Sequence, residues 1–178
     1  MVYVFLANGF EEIEALCPID LLRRAKVEVT TVGIGTDCVT GSHGITVHAD
    51  ISDTFFRDGK PDMVILPGGM PGTTNLDASP VVDAALKAAV RNDAYIAAIC
   101  AAPMVLGRRG LLHGRRATCF PGFEQELDGA VEIGGAVVRD GKIITARGMG
   151  VAQDFGLELV RALRGDKVAE ELRAAILA

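Results

Sequence analysis

YIAAICAAP, Tyr95 to Pro103, is the stretch on which the reading of this chain turns. Tyr95–Ile99 is a short apolar run suited to a buried strand, and the segment from Ala101 to Arg109 turns into a helix. Cys100 stands at the seam. A thiol there faces a helix N-terminus, whose unpaired N–H groups and partial positive charge favour the thiolate. Two readings are open. Cys100 is a nucleophile, which needs such a setting, or it is a small buried core residue, the usual fate of a free cysteine. The local pattern weighs them equally.

Outward from this stretch, the theme of an apolar strand ending in a polar or glycine turn recurs. VYVFLA (Val2 to Ala7) reads as a buried strand broken by Asn8-Gly9. FEEIEALCPIDLLRRA follows with helical spacing of Ile13, Leu16, Cys17, Leu21 and Leu22. Glu11, Glu12 and Glu14 suit the positive end of that helix and Arg23 and Arg24 its other end, while Pro18 should kink it. VEVTTVG (Val27 to Gly33) is a second strand; CVTG and ITVHA are shorter β pieces around a Ser42-His43-Gly44 turn. DMVILPGG (Asp62 to Gly69) repeats the first theme, and Pro80–Arg91 is a helix with proline in its first turn. RATCF (Arg116 to Phe120) is a strand candidate, and Asp140-Gly141 signals a hairpin between Val137-Val138 and Ile143-Ile144. Val151–Leu163 and Val168–Leu177 read as amphipathic helices.

Apolar strands alternating with helices predict an α/β fold, a mostly parallel sheet covered on both faces. Ligands in such folds gather beyond the carboxyl ends of the strands. Four segments bring polar or glycine-rich turns to that edge: Asn8–Glu14, Pro67–Gly72, Cys100–Ala102 and Arg147–Gly150. Their convergence favours Cys100 as a site residue.

The bulk composition narrows the function classes. A chain of 178 residues, 49% apolar and 23% charged, has enough material for one folded domain, expected to span 1–178. A net charge of −5 gives no electrostatic case for nucleic acid or an anionic membrane surface. The four cysteines (17, 38, 100 and 119) form neither CxxC pairs nor metal-ligand spacings with the three histidines, so no metal is expected. That scatter suits a reducing compartment. Without a basic leader or a stretch long enough to span a bilayer, the default expectation is cytoplasmic. Gly68-Gly69 has neither the lysine of a phosphate loop nor a dinucleotide fingerprint, and no cofactor is expected.

ANGFEEIEA, PDMVILPGGMPG, AAICAAP and TARGMG, in this order and spacing, resemble the ThiJ/PfpI superfamily, most closely its branch around the parkinsonism-associated oxidative-stress protein and bacterial relatives. The resemblance runs over nearly the whole chain. It implies a flavodoxin-like three-layer sandwich, a homodimer, and a cysteine on a strained strand–helix elbow. Cys100 matches the family nucleophile, and Glu14 the carboxyl group that hydrogen-bonds its sulfur and stays protonated beside it. Gly69 and Ala101 match positions whose backbone N–H groups line the oxyanion pocket. The activities it implies are glutathione-independent glyoxalase and protein or nucleotide deglycase on small-molecule carbonyl substrates. Redox sensing through the cysteine and chaperone activity are also implied.

The chain departs from the family pattern in places. Phe120 occupies a position where many relatives carry a histidine, so no imidazole is available there to shuttle a proton. Ala101 stands where the peptidase-like branch has a histidine after its nucleophile, which argues against protease activity. His43 lies where close relatives carry an arginine reaching toward the pocket; it either partly replaces that cation or is an exposed turn residue. Arg24, matching another family arginine, forms an interface ion pair or caps its helix. Cys17, Cys38 and Cys119 read as packing, with Cys119 a resolving thiol if it faces the site. His48 and His113 carry no constellation. The leading expectation is a cysteine-dependent enzyme on reactive carbonyls with Cys100 and Glu14 as its pair. The alternative is a sensor or chaperone that acts through Cys100 oxidation without turnover, and a weaker one is a cysteine hydrolase.

Overall fold

The computed structural model describes residues 1–57 and 59–178. In chain order the elements are β1 (Val2–Leu6), α1 (Glu12–Arg24), β2 (Val29–Gly33), β3 (Cys38–Thr40), β4 (Thr46–His48), β5 (Ile51–Ser52) and β6 (Met63–Leu66). Next come α2 (Gly72–Asp77), α3 (Pro80–Arg91), β7 (Tyr95–Ile99), α4 (Pro103–Gly107), β8 (Arg116–Ala117) and β9 (Glu132–Ile133). The hairpin β10 (Val137–Asp140) and β11 (Ile143–Ala146) precedes α5 (Ala152–Arg164) and α6 (Asp166–Ala175).

Seven strands form the central sheet in the order β10-β11-β7-β6-β1-β2-β5. Every pairing is parallel except β10 with β11. This is the flavodoxin-like arrangement, whose strand order reverses at β1 and β6. The central strands are apolar on both sides because both sides are covered. Along β1, Val2, Val4 and Leu6 join one core with Ile19 and Leu22 of α1 and Phe155 of α5. Phe5 joins the opposite core with Leu86 of α3 and Leu106 of α4. β7 divides likewise, Ala97 and Ile99 to the first core and Ile96 and Ala98 to the second. Three layers result.

β7 and α3 occupy the spans read from the sequence, and Gly141 turns the β10–β11 hairpin with positive φ. Three expectations need correction. RATCF forms only a two-residue strand, paired with β9 outside the main sheet. Thr118 leaves it because its N–H donates to the Thr145 hydroxyl at 2.9 Å and its own hydroxyl to the Gly135 carbonyl at 2.8 Å. The helix after Cys100 starts only at Pro103. Finally, the buried stripe of α1 is not the one read from its apolar residues. Ile13 and Leu16 are exposed, while Glu12, Glu14, Ala15, Pro18, Ile19, Leu21 and Leu22 are buried, and the helix continues through Pro18. Glu11 sets the phase by accepting the Glu14 N–H at 2.7 Å, which turns two carboxylates inward.

Candidate active site

The carboxyl ends of β1, β6, β7 and β11 are stitched together by backbone hydrogen bonds. Glu11 N–H donates to the Gly68 carbonyl at 2.9 Å, Cys100 N–H to Ala146 at 2.9 Å, and Phe120 N–H to the Cys100 carbonyl at 2.8 Å. The four turns expected at this edge therefore meet there. Cys100 directly follows β7 with φ +64°, a left-handed conformation that costs a non-glycine residue of the order of 1–3 kcal/mol and persists only where the surroundings impose it. The strain turns the chain sharply and leaves the thiol part-buried beyond the sheet.

Glu14 rises from the first turn of α1 to share a hydrogen bond with the Cys100 thiol. Its other donors are the buried Gly68 N–H at 3.1 Å from Oε2 and the Met149 backbone. Gly68 makes the approach possible: a Cβ there would lie 2.6 Å from Cys100 Cβ. The Ala101 and Gly69 backbone N–H groups also point at the sulfur. The structure thus brings Cys100, Glu14, Gly69 and Ala101 into one constellation.

Burial dominates the electrostatics of this pair. Burial, assisted by the Glu11 charge and offset by hydrogen bonds, pushes the Glu14 carboxyl up to about 7. Burial and then the Glu14 charge push the Cys100 thiol up to about 12, and the two backbone N–H groups offset only part of this. No long helix dipole helps, because α4 is five residues long and starts with a proline that has no N–H. Burial thus favours the protonated form of both partners.

The accessory residues lie in other contacts. His43 Nδ1 pairs with Glu12 Oε2 at 2.9 Å, and the His43 N–H donates to Glu12 Oε1 at 2.8 Å. Glu12 holds this exposed imidazole above its ordinary value through that hydrogen bond and its charge. Arg24 Nε donates to Asp20 at 2.6 Å, an exposed pair one turn apart. Cys119 is buried in the core opposite the one against which Cys100 packs, and burial and Glu124 push its thiol up to about 11, so it is placed as packing. Among the described residues, Glu11, Glu12 and His43 bring three potential metal-ligand atoms within 4.8 Å of one another. Glu11 is engaged as the helix cap and Glu12 as acceptor for the His43 turn. The part played by Glu12 was not legible in the sequence, where it is one more acidic residue between Glu11 and Glu14.

With this geometry in place, comparison with known proteins is decisive. Residues 1–162 match the DJ-1/PfpI family. The chain belongs to that family. It is 36% identical to a Danio rerio protein, the Parkinson disease protein 7 homolog, over 98% of this chain and 95% of that protein. A Caenorhabditis elegans member, glutathione-independent glyoxalase DJR-1.2, is 32% identical over 91% of this chain and 87% of its own length. Among solved DJ-1 structures, that of oxidized Toxoplasma gondii DJ-1 superposes with a TM-score of 0.95 at 36% identity, covering 99% of this chain and 97% of the other.

Proposed function

We propose that this protein is a cysteine-dependent glyoxalase that needs no glutathione, converting 2-oxoaldehydes of the methylglyoxal type to 2-hydroxy acids. The observation that carries the reading is the hydrogen-bonded Cys100–Glu14 pair, with a carboxyl near 7 beside a sulfur ringed by two backbone N–H groups. A general base works best with a pKa near the working pH. Glu14 takes the thiol proton as sulfur bonds to the aldehyde carbon, while the Gly69 and Ala101 N–H groups receive the developing oxyanion. The proton passes to that oxygen, giving a hemithioacetal and restoring the carboxylate. Glu14 then removes the C–H proton from the same carbon and returns it to the neighbouring carbon, while the hydroxyl proton passes to the former ketone oxygen through the enediol, leaving a 2-hydroxy thioester. Water cleaves the thioester to the 2-hydroxy acid and regenerates the thiol. The C. elegans relative named as a glyoxalase supports this reading. Deglycase action on carbonyl adducts would use the same first step.

The protein is further proposed to be a cytoplasmic homodimer, with the exposed Ile13 and Leu16 of α1 and Met149 as the apolar surface for a second copy. No described helix is long and apolar enough to cross a membrane. A second reading, a redox sensor acting through Cys100, draws on the solved T. gondii DJ-1 being in an oxidized form.

Methylglyoxal consumption and lactate formation without glutathione test the assignment. Turnover should vanish in Cys100→Ser and fall at least about 100-fold in Glu14→Gln, the usual scale of a general base. A fully reduced wild-type protein that turns over no methylglyoxal would move the weight to the sensor.

A further inference from the structure

Phe120 has a place in the site that the steps above do not use. Its backbone is pinned to the nucleophile residue by the 2.8 Å bond from its N–H to the Cys100 carbonyl. The preceding segment is fixed by the two Thr118 hydrogen bonds and by burial of Cys119. From this rigid base the ring emerges 48% exposed, although an aromatic side chain gains free energy by leaving water.

The ring borders Gly148. A Cβ added to Gly148 would lie 3.3 Å from Phe120 Cδ2 and 3.9 Å from Glu14 Oε1. Gly148 has an extended backbone, φ 160°, so its conformation does not demand glycine. The Phe120 ring and the Glu14 carboxyl thus approach Gly148 from its side-chain side. A carbonyl compound joined to Cys100 and worked on by Glu14 would lie beside this point.

We propose that Phe120 is a specificity-determining residue whose ring forms the wall against which the substrate's substituent packs, selecting 2-oxoaldehydes with an apolar, above all aromatic, substituent. This rests on the glyoxalase reading and deepens it by naming the substrate class. A phenyl group beside the ring gains an aromatic contact and removes the exposed Phe120 face from water. A methyl group covers less of that face. A polyhydroxylated or charged substituent would lose water against the ring without a new hydrogen bond, and is disfavoured.

The test compares kcat/KM for phenylglyoxal and methylglyoxal, with mandelate and lactate as the respective products, in wild type, Phe120→Ala and Phe120→Leu. Wild type should favour phenylglyoxal by about tenfold, the scale of one aromatic contact. That ratio should fall about tenfold in Phe120→Ala, mainly through KM, with Phe120→Leu intermediate. A wild type that favours methylglyoxal, or a ratio that changes less than about threefold in Phe120→Ala, would overturn the proposal. If reduced wild type turns over neither aldehyde, the glyoxalase reading fails by itself, and binding to Cys100→Ser protein then decides this one. Mandelate held about tenfold tighter than lactate, with the preference lost on adding Phe120→Ala, sustains the aromatic wall; equal affinities overturn it.

Discussion

Glu12 and Glu14 sit two residues apart in the first turn of α1, both nearly inaccessible to water, yet their proton affinities move in opposite directions. Burial pushes each one up. At Glu12 the opposing hydrogen bonds win: the His43 imidazole, its own N–H, and the His43 and Ile45 backbone N–H groups bring it below the ordinary carboxylate value. Glu14 has the Gly68 and Met149 backbone and a thiol for partners, with Glu11 as a repelling neighbour, and burial prevails. Burial alone therefore does not make a carboxylate a catalyst. The number and kind of donors around it decide whether it becomes a structural anchor or a proton carrier.

The largest effect that can break this contrast is the pH dependence of stability. Glu14 binds its proton more tightly folded, near 7, than unfolded, near 4.5. Its contribution is therefore fully present below 4.5 and is lost as pH rises through about 7. At about 1.4 kcal/mol per unit, wild type should lose about 3 kcal/mol relative to Glu14→Gln between those limits. Denaturant unfolding of both proteins across this range measures it. Parallel stability curves would show that Glu14 titrates normally, and the contrast with Glu12 would collapse.

A smaller effect of opposite sense belongs to Glu12. Glu12→Gln weakens charge-assisted bonds to the Gly41–Ile45 turn and should cost about 1–2 kcal/mol at pH 7. Because folding lowers the pKa of Glu12, its contribution is present above 4.5 and lost as pH falls through the folded value below that. The two unfolding curves should accordingly converge only in acid. A cost that persists unchanged at low pH would make Glu12 a packing residue rather than a charged anchor.

This contrast also marks what the sequence could reveal. Tyr95–Ile99 and Pro80–Arg91 were legible because one is a continuous apolar run and the other begins with a proline and keeps its helical period. The meeting of four turns at one rim followed from the strand–helix alternation. The phase of α1 was not legible, since periodicity rewards Ile13 and Leu16 as buried residues, and the real first turn instead buries Glu12 and Glu14, on either side of Ile13. The candidacy of Glu14 rested on family resemblance rather than spacing, because three glutamates in one helical turn look alike until their donors are known. At Cys100 the strand–helix seam predicts N–H groups facing the sulfur, and those of Ala101 and Gly69 do so; the burial and the neighbouring carboxylate that oppose them are tertiary features no local pattern carries.

Glu11 supplies the finest test, because it touches Glu14 in two ways that pull apart. Its carboxylate caps the Glu14 N–H at 2.7 Å, which fixes the phase of the helix, and its charge helps to raise the Glu14 carboxyl. Glu11→Gln keeps an oxygen for the cap and removes the charge. If Glu14 is the base, kcat/KM should rise with pH through a limb near 7 in wild type. In Glu11→Gln that limb should move to lower pH by a fraction of a unit, with its plateau kept, while Glu12→Gln, which does not act on Glu14 through charge, leaves it in place. Glu11→Ala, losing the cap as well, should lower the plateau. A limb that stays fixed in Glu11→Gln would mean that burial alone sets the base, and that the neighbouring acid serves only to start the helix.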